Sequence, residues 1–313
     1  MSDKLILRLS NEIGNQMFMY ASAYSISKEL NRRLYIDDET AFLSRKNVSK
    51  FGLNLFNITS PIAPDTLKFK NLTGNIKRKF LIKTDLLRSK KKFYIEKKDR
   101  NKITKYSSDY KNLIFDNNLF LEGHFQSESY FKNYKDEIKS EFKLKNQDTL
   151  KKSPYFNEIN KHNSVSICLR QNRFIEGKGQ NTSQNKQKSL NFTLEQINYI
   201  NKSVDYIKSK VSNPTFFLWS NDFSNIDKKD FNFNYEEIKL YDNEKALDKR
   251  IQSLFLLTQS NHFIVTTSAF NWWGAWLSES NNKIILRPSD KFFNHFYLNN
   301  KDFWPLDWHV INV

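Results

Sequence analysis

Lys4-Leu5-Ile6-Leu7-Arg8-Leu9-Ser10-Asn11-Glu12-Ile13-Gly14-Asn15 begins as an apolar run and stops abruptly in a polar turn. The run has the length and make-up of a buried strand, and the turn carries one of only seven glycines in 313 residues. Met17, Tyr20, Ala21 and Tyr24 then fall on one face at helical spacing. A second apolar run, Leu34-Tyr35-Ile36, ends at Asp37. Strand, turn, helix and strand make a βαβ unit, the building block of a parallel sheet. Its chemistry gathers at the first turn, where Gly14 permits close backbone approach and the helix presents N–H groups.

The same alternation returns in the second half. Val165, Ile167 and Leu169 form a strand that ends at Arg170. Thr193-x-x-Gln196 has the form of a capping box and predicts a helix start, with Leu194, Ile197, Val204 and Ile207 along one side. Phe216-Phe217-Leu218-Trp219 is the next strand, ending at Ser220-Asn221-Asp222. A helix through Leu247, Ile251, Leu254, Phe255 and Thr258 leads to the strand Phe263-Ile264-Val265 and the turn Thr267-Ser268. An aromatic helix start, Phe270-Asn271-Trp272-Trp273-Gly274, and the strand Lys283-Ile284-Ile285-Leu286 complete the pattern. Asn118-Leu119-Phe120-Leu121 is a further strand, followed by Glu122-Gly123-His124-Phe125-Gln126, whereas 45–116 shows no clean period. The polar segment from Asp148 to Asn163, with Pro154, predicts a boundary between Rossmann-like domains at 1–155 and 156–313. The expected fold class is α/β, two such domains facing each other across a cleft, the architecture called GT-B in glycosyltransferases.

An apolar content of 39%, with 15% aromatic, suffices for packed cores and excludes a disordered chain. The single cysteine, Cys168, precludes an internal disulfide and, within an apolar strand, reads as a core residue. Lys4–Leu9 is too short and charged for a signal peptide, and no stretch approaches the roughly 20 apolar residues of a membrane span. A cytoplasmic protein is expected, at most peripheral on a membrane face. From Lys68 to Lys105 fifteen Lys/Arg stand against three Asp/Glu, most of the chain's net +16. Phe80, Leu81, Ile82, Leu86, Leu87, Phe93 and Tyr94 interleave with them. Three readings fit: a solvated lysine-rich face, an anionic membrane or lipid-linked substrate, or nucleic acid.

Ligands of open parallel sheets bind at the carboxyl ends of the strands. Arg170 stands at such an end, where a guanidinium can grip a diphosphate with bidentate, charge-assisted bonds. When a glycosyl–diphosphate bond breaks, charge accumulates on the leaving phosphate, and a fixed cation there favours the transition state. A surface ion pair is the competing reading. Thr267 and Ser268, before a helix, are a second phosphate-binding candidate; Trp272 and Trp273 themselves read as core. The sequence has no Asp-x-Asp, no His-Glu-x-x-His, no cysteine cluster and no Walker-type glycine loop, so no metal ligands and no cofactor are predicted. Glu128, His124 and Asp37 are candidate general bases.

Four motifs, in order, resemble one family. Gly14-Asn15-Gln16-Met17-Phe18-Met19-Tyr20-Ala21 is similar to the GNQMFQYA signature of the family 11 glycosyltransferases, the α-1,2-fucosyltransferases. Glu122-Gly123-His124-Phe125-Gln126-Ser127-Glu128-Ser129-Tyr130-Phe131 resembles their G-[YF]-[WF]-Q-S-E-x-Y-F segment. Ser268-Ala269-Phe270-Asn271-Trp272-Trp273-Gly274-Ala275-Trp276-Leu277 resembles S-x-F-S-W-W-G-A-W-L, and Asp302-x-x-Pro305-x-x-Trp308 resembles the family's ending.

The resemblance implies a GT-B fold, GDP-β-L-fucose as donor, inversion to an α-1,2 linkage on a galactoside, and no required metal. It puts the donor mainly in the C-terminal domain and the acceptor, a glycan or lipid-linked glycan of the cell surface, on the N-terminal side. Arg170 takes the place of the first arginine of H-x-R-R-x-D. Asn15 and Gln16 fall near the transferred sugar, Ser220 and Asp222 near the nucleoside, and Thr267 and Ser268 in the phosphate turn. Departures occur: Cys168-Leu169-Arg170-Gln171-Asn172-Arg173 replaces the histidine, the second arginine and the aspartate, with Arg173 a possible substitute cation. Thr267 stands where asparagine is common and Asn271 where serine is. A transferase using another nucleotide sugar therefore stays open beside fucosyl transfer, as does, from another class, a basic nucleic-acid-binding protein.

Overall fold

A computed structural model describes residues 3–42, 51–98, 104–145, 147–161, 163–176, 179–224, 226–239, 247–289 and 300–312. Arg45–Lys50, Asp99, Arg100, Lys102 and His162, on which parts of the sequence reading fall, lie outside the described residues. The chain divides into two compact α/β units, Met1–Lys145 with Tyr297–Pro305, and Asn146–Phe296 with Leu306–Val313. Both sheets are wholly parallel. Two Rossmann-like units in one chain are the composition of the GT-B class.

The first unit holds β1 (Lys4–Arg8), α1 (Ile13–Glu29), β2 (Arg33–Asp37), α2 (Asn71–Asp85), β3 (Lys91–Ile95), β4 (Phe115–Glu122) and α3 (Lys135–Glu141). Its strand order is β2-β1-β4-β3. Leu5, Ile6 and Leu7 are consecutive and all fully buried, as befits a strand covered on both faces. The one-faced α1 of the sequence reading needs correction: every residue from Ile13 to Ser27 except Asn15 is buried. Its polar residues find partners inside, Tyr20 Oη donating to Glu141 Oε2 (2.6 Å) and Ser22 Oγ to the Phe125 carbonyl (3.2 Å). Such internal partners let a helix bury polar positions without an unpaired group.

The second unit holds α4 (Gln147–Leu150), α5 (Phe156–Ile159), β5 (Ser164–Leu169), α6 (Ser183–Lys210), β6 (Thr215–Ser220), β7 (Glu236–Lys239), α7 (Leu247–Thr258), β8 (His262–Ile264), α8 (Ala269–Leu277), β9 (Ile285–Pro288) and β10 (His309–Ile311). The short α9 (Asn300–Phe303) belongs to the first unit. The order β10-β9-β8-β5-β6-β7 starts at β5, runs outward to β7, and returns to β8 on the other side. This is the doubly wound Rossmann order, with its reversal between β5 and β8. All six residues of β5 are buried, Cys168 among them.

The partition differs from the sequence reading in two places. The first unit ends at Lys145 rather than 155, because α5 packs with the second unit, Phe156 stacking on Phe255 at 5.7 Å. It also takes back residues near the C-terminus, where the Tyr106 N–H donates to Asp302 (2.9 Å) and Phe303 lies against Phe18 (6.0 Å). The predicted capping box is also overturned. Thr193 and Gln196 sit inside α6, which Thr182 caps by accepting the Asn185 N–H (3.2 Å). The first turns, Ser183 to Lys188, are polar throughout and give no apolar stripe from which to read a helix.

Candidate active site

In the second unit the carboxyl ends of β5 and β8 flank the reversal of strand order, the place where such sheets bind ligands. Arg170 directly follows β5, and Thr267 lies three residues past the end of β8, whose Ile264 pairs with Ile167 of β5. The Arg170 side chain is buried, with Nη2 2.6 Å from Glu176 Oε1, a carboxylate that is itself partly exposed. Gln196 of α6 clamps the Arg170 backbone: its Oε1 accepts the Arg170 N–H (3.1 Å) and its Nε2 donates to the Arg170 carbonyl (2.8 Å). Both backbone groups being fixed, the guanidinium projects from a rigid base.

The loops after β5 and β6 are cross-linked. Gln171 donates its N–H to Asn221 Oδ1 (2.8 Å) and its Nε2 to the Asp222 carbonyl (2.6 Å), and Asn172 Nδ2 donates to Asp222 Oδ2 (2.8 Å). The Ser224 N–H, donating to Asp222 Oδ1 at 2.9 Å, is the main reason the Asp222 carboxyl lies below its ordinary value. Ser268 is the N-cap residue of α8, extended at φ −134°, and its hydroxyl makes no capping bond. The first-turn N–H groups of α8 therefore form a positive helix end on the same sheet edge as the Arg170 guanidinium. A buried cation and a helix N-terminus on one sheet edge suit a diphosphate.

The first unit builds a different surface at its own reversal, between β1 and β4. Arg8 ends β1 and Glu122 ends β4. Arg78 of α2 donates from Nη1 to both Glu122 oxygens (2.8 and 2.6 Å), and Arg8 Nη1 stands 3.8 Å from Oε2. Arg8 also donates to the Thr40 hydroxyl (3.0 Å) and carbonyl (3.1 Å), and burial lowers its pKa. The turn after β4 is conformationally demanding: Gly123 has φ 155° and Phe125 φ 50°. Glu96, just past β3, holds that turn by accepting the N–H groups of His124 and Phe125 (2.8 Å each), and burial raises its carboxyl pKa. Asn11, also left-handed at φ 65°, pairs through Nδ2 with His124 Nε2 (2.5 Å). Asn15 Oδ1 accepts from Gln126 Nε2 at 2.6 Å. Two left-handed turns holding amides and an imidazole at a sheet edge suit a ligand rich in hydroxyls.

Arg170, Asp222, Thr267 and Ser268 thus share the ligand-binding edge of the second sheet, and Asn15 and His124 that of the first. Other expectations change. Gln16 is fully buried, its Nε2 donating to the Asn11 carbonyl (2.7 Å) and its Oε1 accepting the Gly52 N–H (2.9 Å), so it shapes the turn from within. Gly14 is buried in the first turn of α1. Ser220 is fully buried and spends its hydroxyl on the Asp222 carbonyl (2.7 Å). Asp37 caps its own turn, accepting the N–H groups of Glu39 (3.2 Å) and Thr40 (2.9 Å), which removes it as a base. Glu128 is half-buried at the start of a 3-10 turn, and Trp272 and Trp273 are core. Arg8, Arg78, Glu96, Glu122 and Gln196 were missed. Arg8 and Glu122 were visible as charges ending apolar runs; Arg78 was hidden among lysines. Among the described residues, no group of three or more His, Cys, Asp and Glu is placed to hold a metal.

The sequence model described as Glycosyl transferase family 11 matches residues 2–312. An alpha-1,2-colitosyltransferase of Escherichia coli is 26% identical over 312 residues, covering 97% of this chain and 97% of that protein. The O-antigen biosynthesis glycosyltransferase WbnK of Escherichia coli is 24% identical over 307 residues, covering 91% and 93%. Among solved structures, a mutant of Arabidopsis thaliana FUT1 in complex with GDP superposes with a TM-score of 0.51 at 12% identity, covering 92% of this chain and 72% of that one, a likeness of fold. Matched almost from end to end, the chain belongs to glycosyl transferase family 11.

Proposed function

We propose that the protein transfers L-fucose from GDP-β-L-fucose to a galactoside hydroxyl, with inversion to an α-1,2 linkage, in the assembly of a surface glycan. The observation that carries this is that a buried, backbone-clamped arginine and the N-terminus of α8 follow the two neighbouring strands at the reversal point of the second sheet. The sugar C1–O bond to the diphosphate breaks and its electron pair leaves with the nucleotide. The acceptor oxygen forms the new bond from the opposite face and gives up its proton. Arg170 and the first-turn N–H groups of α8 stabilise the charge appearing on the diphosphate, an effect realised most fully in the transition state. Glu128, or His124 once its Nε2 exchanges Asn11 for the acceptor hydroxyl, is the group of the first unit proposed to receive the acceptor proton, and substitution of each separates them.

A second reading keeps the chemistry and changes the donor sugar. It is favoured by the strand-end sequence Cys168-Leu169-Arg170-Gln171-Asn172-Arg173, which departs from the family pattern, and by a relative named for colitosyl transfer. Nucleotide release from a panel of GDP-, UDP-, ADP- and CMP-sugars, with a galactoside acceptor and chelator present, decides between them. Turnover with GDP-fucose is expected, and Arg170→Ala should lower it by roughly 100-fold or more. Release from another donor alone supports the second reading, and an undiminished Arg170→Ala rejects the mechanism.

A further inference from the structure

The helix α2 turns its apolar residues the wrong way for a buried element. Leu72, Ile76 and Phe80 recur every four residues along one face, and they are 74%, 59% and 64% exposed. Leu86 and Leu87, just past the helix, are more exposed still. The opposite face is anchored to the first unit by polar contacts. Arg78 grips Glu122, and Asp85 accepts the N–H groups of Lys92 (2.9 Å) and Phe93 (3.1 Å). Lys91 Nζ donates to the carbonyls of Asp85, Leu86 and Arg88, fixing the turn that holds the two leucines outward. The outward stripe is therefore a held surface, and a row of large apolar side chains of this length on a soluble face marks an interaction site.

The charge around the stripe selects what covers it. Lys77, Lys79, Lys83, Arg88 and Lys90 are all exposed, and Asp85, buried and turned inward, is the sole acid from 71 to 90. At helical spacing Lys79 and Lys83 share the outward face with Leu72, Ile76 and Phe80, and Lys77 flanks it. Apolar side chains interspersed with lysines, whose stems can reach back to the headgroups, are the pattern of a helix lying in the interface of an anionic bilayer. Self-association about a two-fold axis would set these lysines against their own copies with no acid to match them. Nucleic acid would use the lysines and leave the stripe wet. We propose that α2 and the Leu86–Leu87 turn dock the first unit on an anionic lipid surface, with Leu72, Ile76, Phe80, Leu86 and Leu87 entering the headgroup–acyl boundary. Arg78 joins this helix to Glu122 at the ligand-binding edge of the first sheet, so docking fixes that edge relative to the lipid. The inference is independent of which donor sugar is used.

Flotation of the full chain with phosphatidylcholine vesicles, with and without phosphatidylglycerol, tests it. The protein should float with the anionic vesicles alone, less so as salt rises. The variant Leu72→Ser/Ile76→Ser/Phe80→Ser should bind well over tenfold more weakly, with an unchanged circular dichroism spectrum and melting temperature, since these side chains contact solvent. Lys77→Gln/Lys79→Gln/Lys83→Gln, which keeps every apolar side chain and serves if the first variant misfolds, should weaken binding by about fivefold per lysine. Absence of flotation at low salt overturns the proposal. So does equal flotation of a folded triple-serine variant, or a lipid-free dimer by light scattering that the triple-serine variant abolishes.

Discussion

Arg170 meets a carboxylate, Glu176, in the place where the proposed function puts a diphosphate. A guanidinium held by its own chain must exchange that partner for the ligand, and the exchange costs part of the binding energy. Glu176→Gln removes the competing charge while keeping an amide oxygen for the bond, so it should tighten GDP binding several-fold, measurable by isothermal titration. Asp222 offers a pH test. Its carboxyl lies below the ordinary value of 3.8, chiefly through the Ser224 N–H, so it favours the folded state fully above that value and loses the benefit as pH falls through the lowered one. Asp222→Asn should lower the melting temperature at pH 7, with the gap to the parent closing in acid below the ordinary value. Arg170 and Asp222 stand out in the sequence because each comes just after an apolar run and carries a charge. Ser220 carried the same signal and Gln16 a family motif, yet both turned inward, for a motif records that a turn is constrained without saying on which side of the backbone the constraint lies.

The turn joining β4 to the 3-10 turn at Glu128 is the most conformationally constrained element near the sites. A Cβ built on Gly123 would stand 2.3 Å from Glu96 Cβ, and its φ of 155° lies in a region that L side chains rarely adopt. Gly123→Ala must therefore push away the residue that holds the His124 and Phe125 N–H groups. A loss of about 2–4 kcal/mol is expected from strain plus two weakened bonds to a buried carboxylate, read by urea denaturation. Elements whose apolar residues face inward were read correctly from sequence: β1, β4, β5, β6, α7 and β8 all lie where apolar runs or 3.6-residue spacing put them. α2 and β3 were not, because α2 exposes its apolar stripe and β3 begins with two lysines, so the usual equation of apolar with buried fails there. The short edge strands β7 and β10 escaped for a related reason, their burial being slight and their alternation too brief to register.

Each unit carries its own parallel sheet and its own buried core, and the proposed nucleotide contacts, Arg170, Asp222, Thr267 and Ser268, all belong to the second. A ligand that binds one folded unit stabilises that unit by mass action, about 2.7 kcal/mol at a hundredfold excess over its Kd. The first unit gains only what coupling between the two passes on. Hydrogen exchange with and without GDP separates these contributions: slowing is expected at 169–176, 220–224 and 266–272, while the amides of β1 and β4 keep their rates. Protection confined to the turns after β1 and β4 would mean that the nucleotide is held by the first unit, and the assignment of the diphosphate to Arg170 would fall with it. GDP should produce the second-unit pattern and UDP should not, since the same experiment reports on the base. That contrast makes donor class and diphosphate position readable from one set of amides, without any acceptor being known.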